Sequence, residues 1–506
     1  MLHRHLVDWS APVEPVDDLV SVVVPTHADH RLTRQAVLRV SEAYDAALAA
    51  WEATGGTDDP PTRVEVVVVD NGCPADEAVA LDSLPLEFPI ARVLHQPVNR
   101  GFALGNDLAL PSTSGRVVVF LNNDTEVRTG WLEPLVAALD DPTVHGAQSL
   151  LIYPSGSIQS AGIAFPATGG VPHVLLQGFP VEDAEGIEHE RFSACTAASL
   201  AMRRADVLAL GGFDPLFHNG MEDVDLGLRM CRLRPGRFTV RPDSLVLHHE
   251  SRAPGRFERS LVNRRLLLDR YRDDVPRDDV RLWGSRGYDV VGHEVRQVVS
   301  RDRRVSVPEP VLTRSLRADV REGVPRLRWA LKNPAPAGPE AERWGDTHFA
   351  RRLAAALRRL GQEVVIDHRA EFERSTGRFD DVVLVLRGVG PYNPVFGQVS
   401  LCWLISHPEM MSRRESVAYD RVFAASTVWA RRMSAAWDVR IDPLLQATDA
   451  EPVPPRPRPP RHRALVAVRR QARARCCARW SVRPSSAACR SRSWATSGTG
   501  WCRRGT

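Results

Sequence analysis

Three short apolar runs mark the first quarter of the chain, and each ends in residues that stop a strand. Leu19-Val20-Ser21-Val22-Val23-Val24 runs into Pro25, Val64-Glu65-Val66-Val67-Val68-Val69 into Asp70-Asn71-Gly72, and Arg116-Val117-Val118-Val119-Phe120-Leu121 into Asn122-Asn123-Asp124. Continuous runs of this length, rich in valine, predict strands buried on both faces. Between the first two, roughly Arg31 to Thr54 carries a helical pattern. Strands alternating with helices imply an α/β fold, a mostly parallel sheet flanked by helices. Ligands of such sheets bind beyond the carboxyl ends of the strands. Asp70 and Asp124 fall at those ends.

After about Tyr271 the pattern weakens into Arg- and Asp-rich sequence, predicting a helical and irregular connector over 271–324. A second alternation follows, with strands at Leu327–Leu331, Glu363–Ile366, Asp381–Leu386 and Val399–Ile405 and an amphipathic helix at Asp346–Leu360. It predicts a second α/β domain over 325–450. Six prolines between Glu451 and Pro460 end it.

Composition sets outer limits. With 506 residues, 43% hydrophobic and 25% charged, the chain is neither disordered throughout, nor collagenous, nor a small disulfide scaffold, and its length suits two to four domains. No apolar run approaches the roughly 18 residues that span a bilayer. The N-terminus Met1-Leu2-His3-Arg4-His5 lacks the apolar core of a signal peptide. A cytoplasmic location is expected. Eight cysteines without paired spacing fit a reducing compartment, and no zinc-site spacing appears.

The formal charge of +4 hides an asymmetry, because 14 arginines and no acid lie between Arg456 and Thr506, leaving −10 on the rest. Of the 66 basic residues 65 are arginine, Lys332 being the one lysine. That bias points to GC-rich coding DNA before it points to nucleic-acid binding. The 451–506 segment, Pro/Arg-rich and holding four of the eight cysteines, reads as foreign to the rest. Written in GC-rich codons and read two bases on, its last stretch gives Gly-Asp-Glu-Trp-Asp-Gly-Leu-Val-Pro-Pro-Gly, an ordinary protein sequence. The expectation is a frameshift near residue 460 that truncates the second domain and leaves a disordered tail, testable by resequencing the gene. The competing reading is a genuine basic tail for RNA or anionic lipid, whose binding would weaken steeply with salt.

Chemistry gathers in an ordered set of segments. Pro25-Thr26-His27, Asp70-Asn71-Gly72, Asn99-Arg100-Gly101-Phe102-Ala103-Leu104-Gly105-Asn106 and Asn122-Asn123-Asp124-Thr125-Glu126 come first. Gly211-Gly212-Phe213-Asp214, Met221-Glu222-Asp223-Val224-Asp225 and Leu247-His248-His249-Glu250 follow. In this order and spacing residues 18–270 resemble a glycosyltransferase family 2 domain of GT-A nucleotide-diphospho-sugar transferase fold, of the bacterial polysaccharide and rhamnosyl type. The resemblance implies transfer of a sugar, with inversion, from a nucleotide diphosphate donor (UDP-, dTDP- or GDP-sugar). A glycan or lipid-linked glycan of cell-surface polysaccharide synthesis would be the acceptor.

The residue types suit that chemistry. A departing diphosphate gathers negative charge that a divalent cation stabilises. Hard oxygen ligands suit Mg²⁺ or Mn²⁺, and Mn²⁺ also tolerates imidazole. Asp124 matches the last residue of the family's DxD motif. Asn122 stands where its first aspartate would, one anionic ligand fewer, with Asn123 between. His248 matches a metal-binding histidine at a strand end, with His249 its immediate rival. Asp70 matches the aspartate that contacts the base or ribose, although Asp-Asn-Gly also favours a plain turn. Pro25 and Thr26 match the first donor loop, and Arg100, Gly101 and Asn106 the second, where glycine lets backbone approach the nucleotide. Asp223, with Glu222 as understudy, matches the general base that takes the acceptor's proton. The same acidic run could instead be a helix start favoured by the dipole. Asp225 reads as structural, and Cys195, within Ala194-Cys195-Thr196-Ala197-Ala198-Ser199, as a small hydrophobe.

In the second domain, Trp344-Gly345-Asp346-Thr347-His348-Phe349-Ala350 and the apolar helix after it resemble the N-terminal half of a GT-B glycosyltransferase of family 4 type. That implies a truncated Rossmann-like half-domain without a donor-binding partner. Ser406-His407-Pro408-Glu409 lines its cleft or forms a turn. The reading is therefore a metal-dependent transferase, with peripheral membrane contact through a lipid-linked acceptor and no nucleic-acid partner. The alternative is an inactive nucleotide-sugar-binding or scaffold protein, its site disabled by Asn122.

Overall fold

The structure, a computed structural model, describes residues 7–9, 14–56, 59–249, 259–300, 303–315, 320–321 and 324–447. The expected tail and frameshift lie outside the described residues. The three apolar runs form strands β1 (Val16–Thr26), β2 (Arg63–Asn71) and, after β3 (Ala91–Gln96), β4 (Gly115–Leu121). Further along come β5 (Thr125–Val127), β6 (Val144–Ile152), β7 (Ile158–Ser160), β8 (Ser199–Arg203) and β9 (Arg237–His248). They make one nine-stranded sheet in the order β3-β2-β1-β4-β8-β6-β9-β5, with β7 on β6.

One half, β3-β2-β1-β4, is parallel. Beyond β4 the sheet mixes directions: β8 runs antiparallel to both β4 and β6, β9 parallel to β6, and β5 antiparallel to β9. The continuous valine runs are explained by cover on both faces. Val22, Val24, Val66 and Val68 pack in one core with Val37 and Val40 of the helix His30–Ala53. Val23, Val67, Val118 and Phe120 face the other way, onto Phe213, Leu226 and Met230. Asp29 starts the long helix by accepting from the Leu32 amide at 3.2 Å.

The connector departs from expectation. Instead of helical and irregular chain, Tyr288–Ser300 and Arg303–Arg314 form a long antiparallel hairpin. At its base Tyr288 and Leu312 are buried, while Val291 and Val295 further along are exposed. Over the part whose side chains are described, the ribbon buries little apolar surface, so it writes no period-2 signal into the sequence.

The second alternation builds a six-stranded, wholly parallel sheet: β10 (Arg328–Lys332), β11 (Glu363–Asp367), β12 (Val382–Arg387), β13 (Val399–Leu404), β14 (Arg421–Ala424) and β15 (Ile441–Pro443). The order is β11-β10-β12-β13-β14-β15, and the helix Gly345–Arg359 forms the first crossover. This sheet is tied to the 178–183 segment after β7. Arg328 donates to both oxygens of Asp183 at 2.7 and 2.6 Å, and Thr376 to the Gly178 carbonyl at 2.7 Å. Phe179 stacks on Phe379 with centroids 5.7 Å apart, and Tyr288 closes on both rings. Among the described residues no helix is long and apolar enough to cross a membrane.

Candidate functional site

The carboxyl ends of β1, β2 and β4 stand side by side. Thr26 pairs in register with Asp70, and Asp70 with His95. Thr26 is buried, and its hydroxyl accepts from Thr33 at 2.9 Å and from the Asn123 amide at 3.2 Å. Asn123 thus ties the end of β4 to the end of β1. Pro25 is buried in the same strand.

Asp70 is held on both oxygens. Oδ1 accepts from the Cys73 amide at 2.8 Å, closing the expected turn, and Oδ2 lies 2.8 Å from His95 Nδ1. Burial raises its pKa, but the Cys73 amide and His95 outweigh it and hold the carboxyl below its usual value. His95 gains in return: its bond to Asp70, with Asp82 at 2.9 Å on Nε2, raises the imidazole's pKa. The turn reading and a place at the strand end are both realised.

Asn71 organises the second loop. Its amide donates to the Gly101 carbonyl at 3.0 Å while its oxygen accepts from the Arg100 amide at 2.9 Å. Gly101 takes φ +81°, and a Cβ there would lie 2.6 Å from the His218 carbonyl oxygen. That close approach is why the position needs glycine. Phe102 N donates on to the Asn219 side chain at 2.9 Å, joining this loop to the segment before the acidic helix. Asn106 is fully buried, its Nδ2 on the Phe102 carbonyl at 2.9 Å, so it braces the loop from behind.

Asp124, in the turn between β4 and β5, meets His248, the last residue of β9. β5 pairs with β9 so that Thr125 faces His248, and the His249 amide donates to the Asp124 carbonyl at 2.9 Å. His248 Nε2 lies 3.0 Å from Asp124 Oδ1 and 3.2 Å from Asn122 Nδ2. Asn122 Oδ1 is buried with no hydrogen-bond partner among the described residues. His249 turns away to Glu126 at 2.8 Å, which Arg39 also holds at 3.2 Å. The two histidines at the end of β9 thus face different partners, as the alternation of side chains along a strand leads neighbours to do.

The acidic run starts the helix Glu222–Leu233, after Met221 in the left-handed region at φ 72°. Glu222 is buried. Asp223 is half-buried and accepts from the Val224 amide at 2.8 Å and the Ala197 amide at 3.3 Å. Burial raises its pKa, against the opposing pull of those amides and the Thr196 hydroxyl. One residue beyond Ala197, the Ala198 carbonyl accepts from the Asn122 amide at 3.0 Å. The turn that leads into β8 therefore touches Asp223 with one residue and the Asn-Asn-Asp turn with the next. Asp225 is fully buried and consumed by Arg229, Arg270 and Tyr271 at 2.7, 2.7 and 2.8 Å, the structural part expected of it. Cys195 is buried, and burial pushes its thiol well above the usual value.

Sequence reasoning missed Gln159 and His95. Gln159, buried on β7, places Oε1 2.6 Å from His248 Nδ1. Neither residue lies in a motif, and only pairing across the sheet delivers them. A second group, His173, Asp279 and His293, also brings metal-capable atoms within 4.8 Å. There the Trp283 N–H already occupies His173 Nε2 at 3.1 Å, and His293 bonds Asp279 at 2.8 Å. It is a hydrogen-bonded joint at the hairpin base. After β13, His407 is left-handed at φ 50° and 3.2 Å from Glu409, starting the short 3-10 helix Pro408–Met410.

Residues 21–161 match the family described as Glycosyl transferase family 2. The match lies in the N-terminal part of the chain. The chain is 31% identical over 193 residues to the O-antigen biosynthesis protein RfbC of Myxococcus xanthus, covering 37% of this chain and 15% of that one. It is 30% identical over 187 residues to the pre-mycofactocin glycosyltransferase of Mycobacterium tuberculosis (strain ATCC 25618 / H37Rv), covering 37% of each. The chain thus spans well under half the length of these curated relatives. Its structure is similar to the crystal structure of GalNAc-T7 with UDP, GalNAc and Mn²⁺, at 18% identity and a TM-score of 0.37, over 47% of this chain and 44% of that one.

Proposed function

We propose that this protein is a metal-dependent, inverting glycosyltransferase of GT-A type, transferring a sugar from a nucleotide diphosphate to a glycan or lipid-linked glycan in cell-surface polysaccharide assembly. The carrying observation is the convergence of the Asp124–His248 pair, 3.0 Å apart, with Asp223 through the two-residue bridge Ala197–Ala198. The O-antigen biosynthesis protein among its relatives favours the polysaccharide acceptor. The second sheet, in this reading, is the acceptor-side half of a GT-B-like module.

The donor set fits Mn²⁺, which takes imidazole with oxygen ligands, better than Mg²⁺: a carboxylate and an imidazole converge in a buried site, beside an amide oxygen, Asn122 Oδ1, that lacks a partner among the described residues. Asp124 and His248 would hold the ion, with Asn122 beside them. Bound there, it would stabilise the charge gathering on the departing diphosphate. The protein's own groups do the rest. Thr26, Asp70 and the Arg100–Gly101 turn orient the nucleotide, Asn71 and Asn106 keeping that turn in shape. Asp223 takes the acceptor hydroxyl's proton as that oxygen attacks the anomeric carbon from the side opposite the diphosphate. A carboxyl with a raised pKa is a stronger base than an ordinary aspartate, which suits this step.

The test is nucleoside diphosphate release by the full chain from a panel of UDP-, dTDP- and GDP-sugars, with Mn²⁺, Mg²⁺ or EDTA, beside Asp124→Ala and Asp223→Asn. Release from one donor that needs metal and both aspartates is expected. A donor that binds yet is never turned over with any acceptor would favour the scaffold alternative, and failure of every donor to bind would refute the proposal.

A further inference from the structure

We infer that Gln159 is the positioning residue that makes His248 a metal ligand instead of a hydrogen-bond donor to Asp124; the inference rests on the metal-site reading above. A neutral imidazole carries one N–H, and the partner of one nitrogen decides the state of the other. Gln159 Oε1 lies 2.6 Å from His248 Nδ1 in a buried contact. An amide oxygen only accepts, so the proton stays on Nδ1 and the lone pair on Nε2. That lone pair is turned to where Asp124 Oδ1 stands at 3.0 Å and the Asn122 amide at 3.2 Å. A carboxylate oxygen and an imidazole lone pair at that distance repel in a buried site unless a cation lies between them, a proton on Nε2 before metal binds or the metal ion that displaces it. The opposite tautomer, with Nε2–H donating to Asp124, needs a donor at Nδ1, and Gln159 presents an acceptor.

The placement depends on the fold. β7 is a three-residue strand hung on β6, in register through Ser160 with Leu151 and Ile158 with Ile152. It lies 89 positions from His248 in the chain, and both side chains are almost wholly buried, so the contact is built in and not a surface accident.

The experiment follows Mn²⁺ binding to the full chain in the presence of UDP by electron paramagnetic resonance titration. Spin-echo modulation reads the nitrogen of a directly bound imidazole. Wild type, Gln159→Glu, Gln159→Leu, Gln159→Met and His248→Ala are compared, with circular dichroism and thermal melting as the check of folding. Methionine keeps the volume and removes the acceptor, should leucine disturb the strand. Gln159→Glu keeps an acceptor at Nδ1 and is expected to bind Mn²⁺ as wild type does. The leucine and methionine variants are expected to bind about 10- to 100-fold more weakly, the usual cost of losing such a partner, and to lose the nitrogen modulation, as His248→Ala does. If His248→Ala loses the modulation while folded Gln159→Leu and Gln159→Met keep it at unchanged affinity, the inference is overturned and the metal reading stands. If wild type itself shows no bound imidazole nitrogen, both fall.

Discussion

Replacing Asp183 by alanine should cost about 3 kcal/mol of stability, the lower end of the range for stranding a buried charge. The figure follows from how Arg328 is placed. Its guanidinium is buried and gives both terminal nitrogens to the Asp183 oxygens at 2.7 and 2.6 Å, which leaves Nε on Asp380 at 3.1 Å. Asp380 cannot make good the loss, because Arg374 already holds its other oxygen at 2.6 Å. Removing Asp183 therefore leaves a desolvated cation with only shared counter-charges, Asp380 on Nε and Glu363, which Arg314 holds, at 4.0 Å from Nη1, next to the Phe179–Phe379 stack that joins the segment after β7 to the second sheet. Replacing both partners with apolar residues, Asp183→Leu with Arg328→Met, should recover most of the loss, since a buried pair owes much of its apparent worth to the penalty of breaking it. Urea unfolding followed by circular dichroism gives the four corners of the cycle. A single-variant cost below about 1 kcal/mol, the range of exposed ion pairs, or a double variant worse than the two singles combined, would refute the reasoning.

Other outcomes follow from the site. Asp223→Asn should leave donor affinity unchanged in calorimetry while lowering transfer by about 10²- to 10⁴-fold. In the wild type, burial raises the Asp223 pKa, so its basic form is lost as pH falls through that raised value. The acid limb of kcat/KM should thus begin above the ordinary aspartate value of about 4, and a flat profile down to pH 4 would contradict the role. Gly101→Ala must fit a Cβ 2.6 Å from the His218 carbonyl at φ +81°; about 1–2 kcal/mol of strain should appear as roughly tenfold weaker UDP binding, read by calorimetry. Burial pushes Glu182 up to about 7 and Glu371 to about 8. Groups raised in the folded state contribute stability that is complete below the unfolded carboxyl range of about 4.3 and lost as pH rises through the folded values. The melting temperature should therefore fall as pH rises from about 4.3 to about 8 and level off above that, and Glu371→Gln should flatten that decline.

Strands β1, β2 and β4 of the first sheet, β10 to β13 of the second and the helices His30–Ala53 and Gly345–Arg359 were legible because each buries a face whose period is written locally: unbroken apolar runs for strands covered on both sides, a 3.6-residue stripe for helices. The short strands such as Thr125–Val127, Ile158–Ser160 and Ile441–Pro443 were not, because three residues carry no period. The strand ends, and with them Asp70, Asn122 and Asp124, came from the same pattern, since in a parallel sheet the carboxyl ends share an edge. The acidic run and His248 were visible only as motifs whose order resembles a known family. The hairpin Tyr288–Ser300/Arg303–Arg314 was not legible, because where its side chains are described it buries little apolar surface and pays no penalty for mixing polar and apolar positions. Nor were the partners that decide what each site residue can do. Gln159 on His248, His95 on Asp70, Ala197 between Asp223 and the Asn-Asn-Asp turn, and Asp183 on Arg328 are all contacts between distant segments. The sequence by itself determined which segments are buried and where the polar ends of the strands fall, because hydrophobic burial acts through local periodicity. Only the tertiary structure decided which histidine meets Asp124 and which nitrogen it presents, because hydrogen bonds demand atoms within about 3 Å, a distance that pairing across the sheet sets and chain order does not.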